Sequence, residues 1–192
     1  MSAAEAAIRG GADVIQLRDK ELSVEKLIQE GKALRKLTSQ TGVLLMINDR
    51  VDIALAVDAD GVHLGQEDLP IETARRILGI DKLIGKSTHS LEQALAAQKE
   101  GVDYIGVGPI FTTPTKPSYS PVGLELIEKA APVVRLPVFA IGGIDSTNVE
   151  EVLSRGARRI AVVRAVIGSD NIEQSAREFK KILFSHQLPV CQ

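Results

Sequence analysis

The sequence predicts an α/β protein built on a parallel β-sheet, and three observations carry that prediction. Apolar runs such as residues 43–48 (VLLMIN as LLMIN after Val43) and 137–141 (PVFAI) are continuous rather than alternating, as in strands covered on both faces. They alternate along the chain with segments of helical spacing. The phrases Gly11-Ala12-Asp13, Gly101-Val102-Asp103 and Gly156-Ala157-Arg158 recur between a helix and the next strand, as repeated helix C-caps do in a βα array.

Taken in order, residues 1–10 (MSAAEAAIRG) form an alanine-rich helix stopped by Gly10-Gly11. Residues 13–18 (DVIQLR) are a short strand ending in charge. Ser23 caps an amphipathic helix to Thr38, with Leu27, Ile28, Gly31, Leu34 and Leu37 at helical spacing. Strand 43–48 leads to a helix at 52–57, and strand 61–64 (GVHL) to a helix begun at Pro70 and ending at Leu78. Strand 82–87 (KLIGKS) precedes helix 90–100. Strand 103–108 turns through Pro109 into a loop holding Thr112, Thr113, Thr115 and Lys116, and helix 124–130 follows. Strand 137–141 precedes a helix capped by Ser146 and running to Arg155. Strand 159–163 (RIAVV) precedes a last helix, capped by Asp170 and reaching Leu183.

Composition bounds the function. The chain has 192 residues, enough for one substantial core. A net charge of −2 supplies no basic field, and 3% aromatic residues supply few stacking surfaces, so nucleic acid is not the expected partner. No apolar run reaches the length of a membrane span, and no signal pattern opens the chain. The single cysteine, Cys191, cannot form an internal disulfide. The expectation is a cytoplasmic protein acting on small molecules; homo-oligomerisation stays open.

Two architectures fit the alternation, a doubly wound sheet and a barrel. Nearly every strand ends in polar groups: Arg18-Asp19-Lys20, Asn48-Asp49, Gln66 with Asp68, Ser87 with His89, Thr113 to Lys116, Gly142-Gly143 and Arg164. A barrel recruits ligand groups all round one face, whereas a doubly wound sheet gathers them at one crevice. The expected fold is therefore a (β/α)8 TIM barrel. Only seven strands are read, and the chain opens on a helix, so the first β-strand is expected to lie upstream. The expected organisation is one barrel domain at residues 1–184, N-terminally truncated, and a tail at 185–192.

The loops point to anion chemistry. Arg18 and Lys20 can both reach a multiply charged oxyanion, or they form a solvated cluster with Asp19. Asp49 and Asp68 follow consecutive strands, as two carboxylates for Mg²⁺ would; alternatively Asp68 caps the helix near Pro70. The loop from Gly106 to Lys116 is either an anion site or a plain surface turn. Gly142-Gly143 lets amides approach a phosphate at the position usual for barrels, or makes a tight turn. His63 reads as a hydrogen-bonded core residue. His89 is open to an acid–base, capping or packing role. Ser87 lacks a companion base and acid, so it reads as a hydrogen-bond donor rather than a nucleophile.

VIQLRDK, IND, DGVHLGQED, GKSTHS, YIGVGPIFTTPTK and PVFAIGGI, in this order, resemble the thiamine phosphate synthase family over nearly the whole chain. The resemblance implies a barrel transferase of thiamine biosynthesis. Such enzymes join hydroxymethylpyrimidine pyrophosphate to thiazole phosphate with Mg²⁺, releasing pyrophosphate by a dissociative substitution. It also implies that Gln16, Leu17, Arg18, Asp19, Lys20, Asn48, Ser87 and Lys116 hold the pyrimidine pyrophosphate. Of these, Arg18, Lys20, Ser87 and Lys116 carry the catalytic role. Thr113, Pro114, Thr115, Gly143, Val163 and Arg164 would line the thiazole phosphate site, and Asp49 and Asp68 would ligate Mg²⁺. Arg164 stands where many members have serine, so either its amide or its guanidinium serves there. The alternatives are a thiazole tautomerase, with His89 as acid–base group, or a non-catalytic barrel that binds a phosphate ligand.

Overall fold

The computed structural model describes residues 2–113 and 120–186. Seven strands form one sheet: β1 (Val14–Leu17), β2 (Leu44–Asn48), β3 (Gly61–Leu64), β4 (Leu83–Thr88), β5 (Tyr104–Val107), β6 (Val138–Ile141) and β7 (Arg159–Ala161). Every neighbouring pair is parallel, and the spatial order is the chain order. Parallel neighbours require a crossover each time, and helices supply it. The described helices are α1 (Ala3–Arg9), α2 (Val24–Thr41), α3 (Val51–Ala56), α4 (Ile71–Leu78), α5 (Leu91–Glu100), α6 (Glu125–Ala130), α7 (Val149–Ser154), α8 (Arg164–Ile167) and α9 (Ile172–Ser185), of which α2 to α7 make the crossovers. The sheet curls in the manner of a TIM-type barrel. Among the described residues β1 and β7 each pair on one side only. None of the described helices is long and apolar enough to cross a membrane.

The register separates the two faces of the sheet. Partners in a parallel pair carry their side chains on the same face. Leu17, Ile47, Val62 and Ile84 are consecutive partners. The last three are almost fully buried, packed beneath the helices with Leu64, Ile105 and Val107. The other face carries Gln16 beside Met46, then Asn48, His63, Gly85 and Tyr104 as successive partners. Polar residues therefore occupy the inner face because the apolar set, offset by one, is held by the helices. Leu17 belongs to the helix-facing set, so only its backbone groups stand at the rim.

Helix ends follow local chemistry. Ser2, Ser23 and Ser90 accept from the amides of Glu5, Lys26 and Gln93 and cap α1, α2 and α5. Gly11, Gly101 and Gly156 all have positive φ, so the recurrent glycine phrases do reverse the chain into the next strand. Two expected caps are corrected. Asn171, not Asp170, caps α9, because it immediately precedes the first helical residue and accepts from Gln174 N at 3.0 Å. Ser146 does not cap α7, which begins only at Val149. Helix α8 has no sequence signal, since Val163 precedes it without a side-chain cap.

Two aspartates clamp neighbouring strands. Asp60 Oδ2, just before β3, accepts from Leu45 N at 2.7 Å and Arg35 Nη1 at 2.8 Å. Asp103 Oδ2, just before β5, accepts from Ile84 N at 2.7 Å and Arg75 Nη2 at 2.6 Å. Each carboxylate thus joins the amide of one strand, the start of the next, and a cation from the helix before both. Asp13, just before β1, meets Lys180 of α9 at 2.6 and 2.7 Å.

Candidate active site

The loops after β1, β2 and β3 gather the expected pyrophosphate and metal groups along adjacent strands. Asp19 Oδ1 accepts from the amides of Glu21 and Leu22, at 2.8 and 2.9 Å. This turn takes Asp19 away from its neighbours. Arg18 and Lys20 are exposed, and neither forms an ion pair among the described residues. The cluster with Asp19 left open by the sequence is not formed. Two cations consequently stand beside the end of β1 with their charge available.

Asp49 follows β2 with φ 62°, a left-handed conformation that non-glycine residues adopt rarely. Its amide donates to His63 O at 2.8 Å, which ties the loop after β2 to β3. Asp68 Oδ2 accepts from Gly65 N at 2.6 Å. Asp68 therefore closes the turn after β3 and does not cap α4, whose preceding residue is Pro70. Its other oxygen has no hydrogen-bond partner among the described residues. Two hard carboxylate ligands on adjacent loops, one already fixed by an amide, suit Mg²⁺ completed by water and substrate oxygens. Among the described residues there is no cluster of three or more His, Cys, Asp or Glu side chains that could hold a metal ion by themselves.

At β3 to β5 the structure brings together residues that sequence reasoning had kept apart. His63 Nε2 lies 2.9 Å from Ser87 Oγ, and His63 Nδ1 lies 3.0 Å from Tyr104 OH. Ser87 thus has a histidine partner after all, but the chain ends on a phenol rather than a carboxylate. Glycine makes the arrangement possible. A Cβ on Gly85 would lie 2.1 Å from Tyr104 Cζ, and one on Gly106 would lie 3.3 Å from His63 Cε1. Glycines inside strands are a legible signal of such close approach. Burial pushes the Tyr104 phenol well above its ordinary value, so it stays protonated. Gln66 Nε2 donates to Ser87 O at 2.5 Å.

The loops after β5 and β6 are zipped together. Ile110 N donates to Ile141 O at 2.9 Å, and Phe111 N to Gly142 O at 3.0 Å. Gly143 has φ 68°, and a Cβ there would meet Phe111 Cβ at 2.7 Å and Thr112 O at 2.8 Å. The loop bearing Thr112 and Thr113 therefore presses on the Gly142-Gly143 turn. Asn148 Nδ2 donates to Gly143 O at 2.9 Å and holds the turn from below. His89 Nδ1 donates to Gly108 O, bracing the same loop; this favours its packing role over an acid–base role. Val163 and Arg164 stand exposed at the start of α8, beyond β7. Pro114, Thr115 and Lys116 lie outside the described residues, as does Cys191.

The sequence matches the thiamine monophosphate synthase family over residues 1–166. The chain belongs to that family. A thiamine-phosphate synthase of Synechococcus sp. (strain CC9605) is 51% identical over 173 residues, covering 90% of this chain and 49% of that protein. Another, from Chloroflexus aurantiacus, is 49% identical over 180 residues, covering 93% of this chain and 83% of that protein. The chain thus spans about half of the first relative and most of the second. Among solved structures, the thiamine phosphate pyrophosphorylase from Pyrococcus furiosus superposes with a TM-score of 0.91 at 43% identity, covering 96% of this chain and 89% of that one.

Proposed function

We propose that the chain is a thiamine phosphate synthase. It joins 4-amino-2-methyl-5-hydroxymethylpyrimidine pyrophosphate to thiazole phosphate, giving thiamine phosphate and pyrophosphate. The observation that carries this reading is the juxtaposition at the ends of adjacent strands of Arg18 and Lys20, which form no ion pair among the described residues, and the carboxylates of Asp49 and Asp68. That combination suits a pyrophosphate bridged to a divalent metal, and family membership supports it.

The residues divide the work. Gln16 and Asn48 share the inner face with His63, where the pyrimidine would lie. Arg18, Lys20 and Lys116 stabilise charge that grows on the departing pyrophosphate as its carbon–oxygen bond lengthens. Ser87 donates a hydrogen bond to the same group. Magnesium held by Asp49 and Asp68 would add charge neutralisation. The aminopyrimidine supports the cation left behind. The thiazole phosphate, anchored by Thr113, Pro114, Thr115, Gly143, Val163 and Arg164, presents its ring nitrogen to that cation, and the carbon–nitrogen bond forms. No protein nucleophile is needed.

The reading is tested by pyrophosphate release with both substrates and Mg²⁺, omitting each in turn. Release that requires all three is the expected result. Release without the thiazole phosphate, or none under any condition, would reject it.

The sheet also supports a place for an eighth strand, so that residues 1–184 work as one barrel domain. At Asp60 and Asp103 the carboxylate binds the amide of the preceding strand as well as a helix cation. Asp13 has the corresponding cation, Lys180, and the preceding strand in ring order would lie between β7 and β1.

A further inference from the structure

We infer that His63 is a positioning residue: held by Tyr104, it fixes the Ser87 hydroxyl as a hydrogen-bond donor toward a bound anion. The inference rests on the proposed function for the identity of that anion, the pyrophosphate of the substrate. Its physical basis is proton order along one chain of three side chains.

Among the described residues Tyr104 OH has one hydrogen-bond partner, His63 Nδ1 at 3.0 Å. Around it stand the Gly85 backbone, whose Cα hydrogen faces the ring where a side chain would otherwise stand, and Phe139, packed edge-on at 5.3 Å between ring centroids. If Nδ1 carried the imidazole proton, the phenol would have to accept it. The phenolic proton would then have no acceptor among the described residues, and leaving a largely buried donor unsatisfied is costly. Tyr104 therefore donates to Nδ1. A neutral imidazole with Nδ1 accepting carries its proton on Nε2. Nε2–H then donates to Ser87 Oγ, 2.9 Å away.

The consequence falls on Ser87. Its oxygen lone pair is engaged by His63, so its own proton points elsewhere, where it can meet an anionic oxygen. In the opposite tautomer Ser87 would give its proton to His63 and show an anion only lone pairs. The same chain explains why Ser87 is no nucleophile: its histidine partner donates to it and cannot take its proton. Three consecutive strands build the relay, and no two of its members lie near each other in sequence; His63 and Ser87 are 24 residues apart, and His63 and Tyr104 are 41 apart.

The test has a spectroscopic arm and a binding arm. The full chain labelled with ¹⁵N-histidine should show His63, assigned by its loss in His63→Gln, as the Nε2–H tautomer. The Nδ1–H tautomer would overturn the inference whatever the activity. In the second arm, inorganic pyrophosphate with Mg²⁺ is titrated into wild type, Tyr104→Phe and Ser87→Ala, each checked for cooperative melting. Both variants should bind it about tenfold or more weakly, the loss of one hydrogen bond to a charged group. Wild-type affinity in Tyr104→Phe would overturn the inference. The expected tautomer and binding losses, without turnover of the two substrates, would leave the relay standing and reject the thiamine phosphate synthase reading.

Discussion

The carboxylate of Asp103 accepts a hydrogen bond from the backbone amide of Ile84, at 2.7 Å, across the boundary between β4 and β5. Ile84 is fully buried, and its carbonyl in turn accepts from Asp103 N at 2.8 Å. The pair therefore pins the bottom of two strands, with Arg75 adding a second donor to the same oxygen. Replacing Asp103 by alanine leaves an amide and a guanidinium without their acceptor. Hydrogen bonds to charged groups contribute about 1.5–3 kcal/mol, so Asp103→Ala should lose about 2 kcal/mol. Asp103→Asn, which keeps a carbonyl acceptor, should lose less. Urea unfolding of the two variants checks the order.

A second prediction concerns the glycine that admits Tyr104. A methyl on Gly85 would sit 2.1 to 2.5 Å from three atoms of the Tyr104 ring, far inside van der Waals contact. Overpacking of this kind costs about 1–3 kcal/mol. Gly85→Ala should therefore destabilise the chain, while adding Tyr104→Ala should recover part of the loss. The coupling is read from a double-mutant cycle; strict additivity would show that the ring is not the obstacle.

Much of the fold was legible because most strands are continuous apolar runs and most reversals from helix to strand carry a glycine. Strand β3 has the boundaries expected from GVHL, and the others differ by a residue or two at their ends. Helix α8 was hidden because it is four residues long and opens without a capping side chain. The site was legible only in part. Arg18, Lys20, Asp49 and Asp68 could be read as strand-end polar groups, since loops after strands concentrate such residues. The His63–Ser87–Tyr104 chain could not, because register across three strands decides which side chains meet. Nor could the sequence say whether Asp68 caps the helix near Pro70; its 2.6 Å bond to Gly65 N shows that it closes the preceding turn instead.

The turn after β6 carries a pH prediction. Asp145 accepts from the Thr147 hydroxyl at 2.6 Å and the Thr147 amide at 2.8 Å, and the hydroxyl contact is the main cause of a lowered carboxyl pKa. A lowered folded-state value means that this contribution to stability is present above the unfolded carboxylate pKa of about 3.9. It is lost as pH falls through the lowered value. Asp145→Asn should therefore show a shallower decline in stability than wild type below about pH 4. Urea midpoints measured across the acid range report the difference; parallel curves would remove Asp145 from the acid transition.

The turn at Asp19 yields a prediction about how cations are presented. Asp19 spends Oδ1 on the amides of Glu21 and Leu22, and Arg18 and Lys20 have no ion-pair partner among the described residues. Asp19→Ala removes the one acceptor of both amides at an exposed position, so stability should change little while the loop loses its fixed shape. The expected kinetic signature is a higher KM for the pyrimidine pyrophosphate with an unchanged KM for the thiazole phosphate. Arg18→Ala should go further, lowering kcat as well, if its charge stabilises the departing pyrophosphate as proposed. An Asp19→Ala enzyme with both KM values unchanged would show that the turn does not position the cations.

The two carboxylates give the last prediction. Asp68 is held by Gly65 N through one oxygen and keeps the other, while Asp49 is fixed in a left-handed conformation one strand away. If the pair holds Mg²⁺ beside the substrate pyrophosphate, neither residue can be neutralised without weakening metal affinity. Asp49→Asn removes charge but preserves size, and Asp68→Asn retains a carbonyl that can still accept from Gly65 N. Both variants should therefore fold as wild type does, yet need about tenfold or more Mg²⁺ for half-maximal pyrophosphate binding, a loss of about 1.4 kcal/mol. Calorimetric titration of inorganic pyrophosphate at several Mg²⁺ concentrations measures this directly. A Mg²⁺ dependence unchanged in both variants would place the metal elsewhere.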